Sequence, residues 1–214
     1  DITDKVNPVK IASYNEISYA SDIFVNGNYT YIANESNGLV IVDVSDKTNP
    51  IKISSYNTAG KAYGIFVEGN YAYVADYTNG LVIVDITNKS NPVEIGSYDT
   101  RGYAYDLFIK GDYAYIASGF GGLVKIEIID KTKPTFVRSF NSLSTNTKGI
   151  FIVEDYAYIV DASNGLIITS LSNSINKVSS FDTYSTARDV FVKGNYAYVA
   201  DYSNGLVIVD VTDK

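Results

Sequence analysis

Apolar and polar residues follow one another in short stretches along the chain, and turn-forming residues separate these stretches. In one representative unit, residues 64–67 and 81–86 are apolar on both faces, residues 71–76 place Tyr71 and Tyr73 on one face, and residues 93–99 alternate between polar and apolar positions. Because the side chains of a strand point alternately to its two faces, this pattern predicts an inner strand, two covered strands and an outer strand with one wet face. No stretch keeps the 3.6-residue apolar period of an amphipathic helix, so the sequence predicts an all-β fold.

The unit recurs along the whole chain. Its clearest part, a turn followed by an apolar strand, is found at residues 36–44, 78–86, 120–128, 163–171 and 203–211. The glycines that directly precede the leucine of each copy are 42, 42, 43 and 40 residues apart. This period is typical of a propeller blade with four strands. The Asn79-Gly80 pair predicts a tight type I′ hairpin turn. We therefore expect one five-bladed β-propeller domain of four-stranded antiparallel blades over residues 1–214.

The two ends of the chain complement each other. The last unit supplies three strands within residues 189–211, and residues 9–15 are equivalent to the outer strand 93–99. Pairing of residues 9–15 with 206–211 completes the last blade, closes the ring and removes two open sheet edges. The same ends also fit a neighbouring molecule, which would give a polymer, or a longer array of repeats. Ring closure is the favoured prediction, because the two partners are joined in one chain.

The repeated strand motif carries a family resemblance. The sequence LVIVD stands at residues 39–43, 81–85 and 206–210, and the third and fourth units depart from it with LVKIE at 123–127 and LIITS at 166–170. The chain resembles the LVIVD-repeat family of bacterial and archaeal surface proteins. This resemblance implies a β-propeller on a secreted or cell-surface protein. It implies no catalytic residues.

Composition excludes several kinds of chemistry. The chain has no Cys and no His, so thiolate catalysis, Cys-based zinc sites and the commonest general base are absent. It carries 24 Asp and Glu against 17 Lys and Arg, a net charge of −7 that argues against a nucleic-acid partner. No apolar run is long enough to cross a membrane. The chain begins at Asp1 without an initiator Met or a signal peptide, which is expected of a processed product or an excised segment.

Positions that vary between the units cluster just before the inner strands, at the mouth of the expected central channel. Aromatic and basic side chains there suit a sugar or an anionic glycan, through stacking and charged hydrogen bonds. The alternative is that loop tips drift without function. The candidate ligand-binding residues are Tyr19, Lys61, Tyr63, Tyr103, Tyr105, Lys148 and Arg188.

Three carboxylates open inner strands, where the other two units have glycine. These are Asp22, Asp106 and Asp189, and three acids that face one channel could hold a cation such as Ca²⁺. Turn capping is the favoured alternative, because the three residues are equivalent in the repeat. A two-carboxylate hydrolase is a further alternative, but equivalent environments do not separate an acid from a nucleophile.

The sequence thus predicts a non-catalytic extracellular or cell-surface scaffold or adhesion module, which could assemble with itself into a filament or array. A lectin-like or cation-dependent glycan-binding propeller is the alternative. Expected partners are copies of the chain itself or cell-surface glycans, and no cofactor is expected apart from Ca²⁺. Three Asn-x-Ser/Thr sequences make Asn28, Asn34 and Asn88 candidates for glycosylation.

Overall fold

The computed structural model of the chain is an all-β molecule, as the sequence predicts. It describes residues 1–141, 146–172 and 174–214. Five antiparallel sheets follow one another along the chain as the blades of a five-bladed β-propeller. Within the described residues, no helix is long and apolar enough to cross a membrane.

Each blade is a meander in which consecutive strands pair, from the channel outward. Blade 1 contains β1 (Asp22–Asn26), β2 (Tyr29–Ala33), β3 (Leu39–Asp43) and β4 (Ile51–Tyr56). Blade 2 contains β5 (Gly64–Glu68), β6 (Tyr71–Ala75), β7 (Leu81–Asp85) and β8 (Val93–Tyr98). Blade 3 contains β9 (Asp106–Lys110), β10 (Tyr113–Ala117), β11 (Leu123–Glu127) and β12 (Thr135–Phe140). Blade 4 contains β13 (Thr147–Val153), β14 (Tyr156–Asp161), β15 (Gly165–Ser170) and β16 (Asn176–Phe181), and blade 5 contains β17 (Ala187–Lys193), β18 (Tyr196–Asp201) and β19 (Gly205–Asp210).

The connection between the second and third strands differs from the predicted two-residue turn. In blade 2, β6 ends at Ala75 and β7 begins at Leu81, so the loop has five residues rather than two. Positive φ values occur at Tyr77 and Gly80 rather than at Asn79 and Gly80. The prediction of a type I′ turn was therefore wrong, because buried Asp76 leaves the ladder and accepts the side-chain amide of Asn79 at 2.8 Å.

Neighbouring blades pack through two different faces. We call the face that meets the next blade the forward face, and Tyr31, Leu39 and Ile41 form it in blade 1. The face that meets the preceding blade is the rear face, represented in blade 2 by Ile65 and Val67. The same pairing of a forward with a rear face recurs between blades 2 and 3, 3 and 4, and 4 and 5.

The predicted ring closure is not confirmed. Residues 9–15 form no strand, and blade 5 is a three-stranded sheet in which β19 is an edge strand. The N-terminal segment instead places Tyr14 and Ile17 against the rear face of blade 1, next to Ile32 and Val40. Tyr14 and Ile17 therefore partly cover the apolar side chains of blade 1 that ring closure would have buried against blade 5.

Candidate functional site

A cavity of about 530 Å³ lies at the entrance of the inner strands. We call this cavity the channel mouth, and its lining residues are Ser21, Asp22, Tyr63, Tyr105, Asp106, Lys148, Arg188 and Asp189. Four of the seven predicted ligand-binding residues thus line one cavity, together with all three predicted carboxylates. Every blade contributes to the lining, because the residues at 21, 63, 105, 148 and 188 are equivalent in the repeat.

Two cations contact aromatic rings at the channel mouth. The Nζ atom of Lys148 lies 3.3 Å from the ring centroid of Tyr105, and the guanidinium of Arg188 lies 5.4 Å from that of Tyr202. Burial, with a smaller contribution from the charge of Arg188, lowers the pKa of Lys148 to about 8. The charge of Asp161 opposes this shift, and Lys148 and Arg188 bring two positive charges to a cavity that three carboxylates also line.

Aromatic side chains continue from the channel mouth onto the adjoining loops. Tyr77 stacks on Tyr103 with ring centroids 4.3 Å apart and planes inclined by 10°, and Tyr105 lies 5.6 Å from Tyr77. Tyr103 also contacts Phe120, whose centroid is 5.6 Å away. Burial, then the neighbouring tyrosines led by Tyr77, raise the pKa of Tyr105 to about 12.

Sequence reasoning missed Tyr77 and Phe120 as parts of this surface. Both residues lie in the loop between the second and third strands of their blades, where the sequence predicts only a structural turn. Comparison of the units could have found Tyr77, because blade 1 has Glu35 at the position that Tyr77 occupies in blade 2. An aromatic residue at such a variable loop position is the signal.

Tyr19 and Lys61 lie outside the cavity lining. Tyr19 is largely exposed on a loop with a positive φ of 65°. The Nζ atom of Lys61 lies 3.9 Å from a carboxylate oxygen of Glu35. Tyr103 is likewise outside the lining but joins the channel mouth through its contact with Tyr105, at 6.4 Å between centroids.

The three carboxylates hold backbone amides. The Oδ1 atom of Asp22 accepts the N–H of Ile23 at 2.7 Å, and its Oδ2 atom accepts the N–H of Ile65 in the next blade at 2.8 Å. Asp106 does the same with Leu107 and, at 2.8 Å, with Ile150 in the fourth blade. These bonds agree with the capping interpretation and add a link between blades that the sequence did not predict.

The electrostatic environment of these carboxylates is set by burial. Desolvation raises the pKa of Asp22 and raises that of Asp106 well above its ordinary value, and the charge of Asp189 adds to both effects. Among the described residues, no group of three His, Cys, Asp or Glu side chains is placed to hold a metal ion. The calcium site stays a prediction from the sequence.

The candidate glycosylation residues differ in accessibility. Asn28 and Asn88 are exposed. Asn34 is only 1% exposed, and its buried Oδ1 atom has no hydrogen-bond partner among the described residues. A glycan on Asn34 would have no room in the folded blade, so only Asn28 and Asn88 remain candidates.

Several solved structures share the fold of this chain, and this chain matches only part of the length of two of them. The computationally designed protein Ika8 superposes with a TM-score of 0.70 and 8% identity over 90% of this chain and 58% of that one, so the chain spans little more than half of Ika8. A candidate 6-phosphogluconolactonase from Bacteroides uniformis gives a TM-score of 0.71 and 12% identity over 89% and 68% of the two chains. The designed protein Ika4 gives 0.53 and 8% over 71% and 92%. Identities this low show the fold alone.

The repeat itself is the feature that relates the chain to other sequences. No curated protein sequence matches it significantly. The family model described as the LVIVD repeat matches residues 18–58, 59–100, 101–142, 145–183 and 185–214. These matches agree with the blades seen in the structure and confirm the resemblance drawn from the strand motif, and the chain belongs to the LVIVD repeat family.

Proposed function

We propose that the chain is a non-catalytic scaffold and adhesion module that binds an anionic glycan at the channel mouth. The observation that carries this proposal is a single cavity in which Tyr63 and Tyr105 stand beside Lys148 and Arg188. Ligand sites are typically concave and lined by aromatic side chains with a few polar groups that fix orientation. The channel mouth is concave and offers two tyrosine rings, and its other six lining residues are polar or charged, which suits a polar ligand such as a sugar.

The ligand class follows from the lining. Tyrosine rings offer flat apolar surfaces on which the C–H face of a pyranose can stack, and their hydroxyls can hydrogen-bond sugar hydroxyls. A carboxylate or sulfate on the sugar would pair with Lys148 and Arg188 through charged hydrogen bonds. The acidic group of the sugar would face Lys148 and Arg188, because Asp22, Asp106 and Asp189 line the same cavity and would repel it.

The arrangement of the carboxylates supports a binding role rather than hydrolysis. A glycosidase needs one carboxyl group that acts as an acid and a second that acts as a nucleophile or base. Both oxygens of Asp22 and both oxygens of Asp106 accept backbone amides instead. The absence of His and Cys from the sequence removes the other common catalytic groups.

We place the module outside the cell or on its surface. Membership in the LVIVD repeat family supports this placement, because proteins with this repeat are often secreted. Mild protease treatment of intact source cells tests it: cleavage of the chain without cleavage of a cytoplasmic marker is expected, and full protection would overturn the placement. Mass spectrometry of the native protein would show any glycan on Asn28 or Asn88.

Glycan binding is tested on an array that carries acidic and neutral oligosaccharides, followed by calorimetry with the best binder. We expect binding of acidic glycans, and we expect Lys148→Ala and Arg188→Ala each to reduce the affinity at least about tenfold, since each removes a charged hydrogen bond. Lys61→Ala is the matched control, because Lys61 lies near the mouth but outside the cavity. Equal losses for Lys148→Ala and Lys61→Ala, or no binding to any glycan, would overturn the proposal.

A further inference from the structure

The forward face of blade 5 lacks the cover that the other forward faces have. Leu206 is 64% exposed and Ile208 is 55% exposed, whereas the equivalent Leu39 and Ile41 of blade 1 are both 0% exposed. The leucines at the same position in blades 2, 3 and 4 are buried as well. The forward face of blade 5 thus has the apolar residues of a blade junction, but no other blade of the described residues covers them.

The rear face of blade 1 is the complementary surface. Ile23 and Val25 are 60% and 61% exposed, while the equivalent Ile65 and Val67 of blade 2 are both 4% exposed. Tyr14 and Ile17 cover the neighbouring part of this face but not these two side chains. The chain therefore carries one uncovered forward face and one largely uncovered rear face.

Two further contacts that link successive blades are missing between blades 5 and 1 in the described part of the chain. Phenylalanines of successive inner strands touch, as in Phe151 and Phe191 at 4.9 Å, but within the described residues Phe191 has no such contact with Phe24. Among the same residues, the carboxylate of Asp189 accepts only the N–H of Val190. The equivalent Asp22 and Asp106 also accept an amide of the following blade.

We propose that the forward face of blade 5 binds the rear face of blade 1 of a second copy of the chain. This deepens the scaffold part of the proposed function by naming the partner and the surfaces. The same junction already occurs four times within the chain, so its geometry is established. The docked copy would also bring its residues 9–15 beside β19, in the place that 93–98 occupy beside β7.

A second copy fits better than the chain's own first blade. The packing of four successive junctions fixes the direction in which each blade follows the last, and in this structure the two free faces of one chain do not meet. Ile23 and Val25 of blade 1 and Leu206 and Ile208 of blade 5 are all more than half exposed, so the two faces do not cover each other. Because the two faces differ, the association is head-to-tail and can continue into filaments.

The test measures the mass of the 214-residue chain by light scattering over a range of concentrations. We expect oligomers that grow with concentration in the native chain, and monomers for Ile208→Asp and for Ile23→Asp alone. A mixture of the two variants should form a dimer and nothing larger, because each retains the face that the other has lost. Ile129→Asp is the control, since Ile129 is 63% exposed on a loop outside both faces.

Each remaining outcome counts against the proposal. A native chain that stays monomeric at all concentrations overturns it, and if Ile208→Asp and Ile23→Asp then lower the unfolding midpoint more than Ile129→Asp does, the ring closes on itself. Oligomers that persist in both face variants also overturn it. Glycan binding is read separately by calorimetry, so failure of one proposal is distinguishable from failure of the other.

Discussion

The Oδ2 atom of Asp22 accepts the backbone N–H of Ile65 at 2.8 Å, so a carboxylate of the first blade holds the inner strand of the second. The blade that receives this bond begins its inner strand with glycine, and a Cβ atom at Gly64 would lie 2.9 Å from the Cα atom of Asp106 in the third blade. Aspartate and glycine thus alternate from blade 1 to blade 5 for a steric reason. Gly64 leaves room for the backbone of blade 3 at Asp106, and the carboxylate of Asp106 in turn accepts the amide of Ile150 in blade 4.

Loss of these inter-blade carboxylates should lower stability. We expect Asp22→Ala and Asp106→Ala each to reduce the free energy of unfolding by about 1–3 kcal/mol, because each leaves an amide of the next blade's inner strand, that of buried Ile65 or Ile150, without its acceptor. Asp189→Ala should cost less in the monomer, since within the described part of the chain Asp189 accepts only the amide of its own neighbour, Val190. Urea denaturation of dilute protein measures all three, and an equal cost at Asp189 would contradict the open junction.

Glycines of the blade loops offer a second comparison. Gly80 has a φ of +74°, and a Cβ atom there would lie 2.3 Å from the carbonyl oxygen of Tyr98. Gly205 has a φ of +67°, but no atom of the described residues lies within 4 Å of its Cβ position. Gly205→Ala should therefore cost only the backbone strain of about 1–2 kcal/mol, and Gly80→Ala should cost clearly more.

Thermal unfolding of dilute protein measures the difference between the two glycine variants. If Gly205→Ala is as damaging as Gly80→Ala in the monomer, a strand already lies beside β19, and the ring is closed. If Gly205→Ala is mild in the monomer but prevents oligomers, the missing strand comes from a second copy.

The sequence predicts the blades well because alternation and turn residues are local signals that recur in every unit. It also places Tyr63, Tyr105, Lys148 and Arg188 together, since positions that vary within a uniform repeat stand out. It cannot decide what lies against β19, because residues 9–15 would make the same contacts with their own chain as with a neighbour. Tyr77 and Phe120 were missed because a loop with an unexpected length placed them beside the channel mouth.

The pKa of Lys148 gives glycan binding a pH dependence. Burial lowers this pKa to about 8, so the ammonium loses its proton as the pH rises through that value, and the attraction for an acidic sugar is lost with it. We expect the affinity to fall by about tenfold between roughly pH 7 and 9. Lys148→Arg should keep its affinity over this range, since guanidinium stays protonated. Calorimetry at several pH values checks both, and a parallel decline in the two proteins would point to another group.

In blades 2 and 3, a lysine in the loop between the third and fourth strands contacts a tyrosine of the preceding blade, and this contact offers the last test. The Nζ atom of Lys89 lies 5.0 Å from the ring centroid of Tyr29, and that of Lys131 lies 5.1 Å from that of Tyr71. Lys47 holds the equivalent place in blade 1, and Tyr196, which is 47% exposed, is the equivalent ring of blade 5. In a head-to-tail assembly the two would meet across the junction.

Lys47→Ala should therefore weaken the association of two copies by about two- to fivefold, the effect of one exposed cation–π contact, and leave the unfolding of the monomer unchanged. Lys89→Ala should do the opposite, because its contact with Tyr29 lies within the chain. Sedimentation measures the association and urea denaturation the stability. Equal effects of the two variants on association would mean that the copies meet through some other surface, because only Lys47 lies at the open junction.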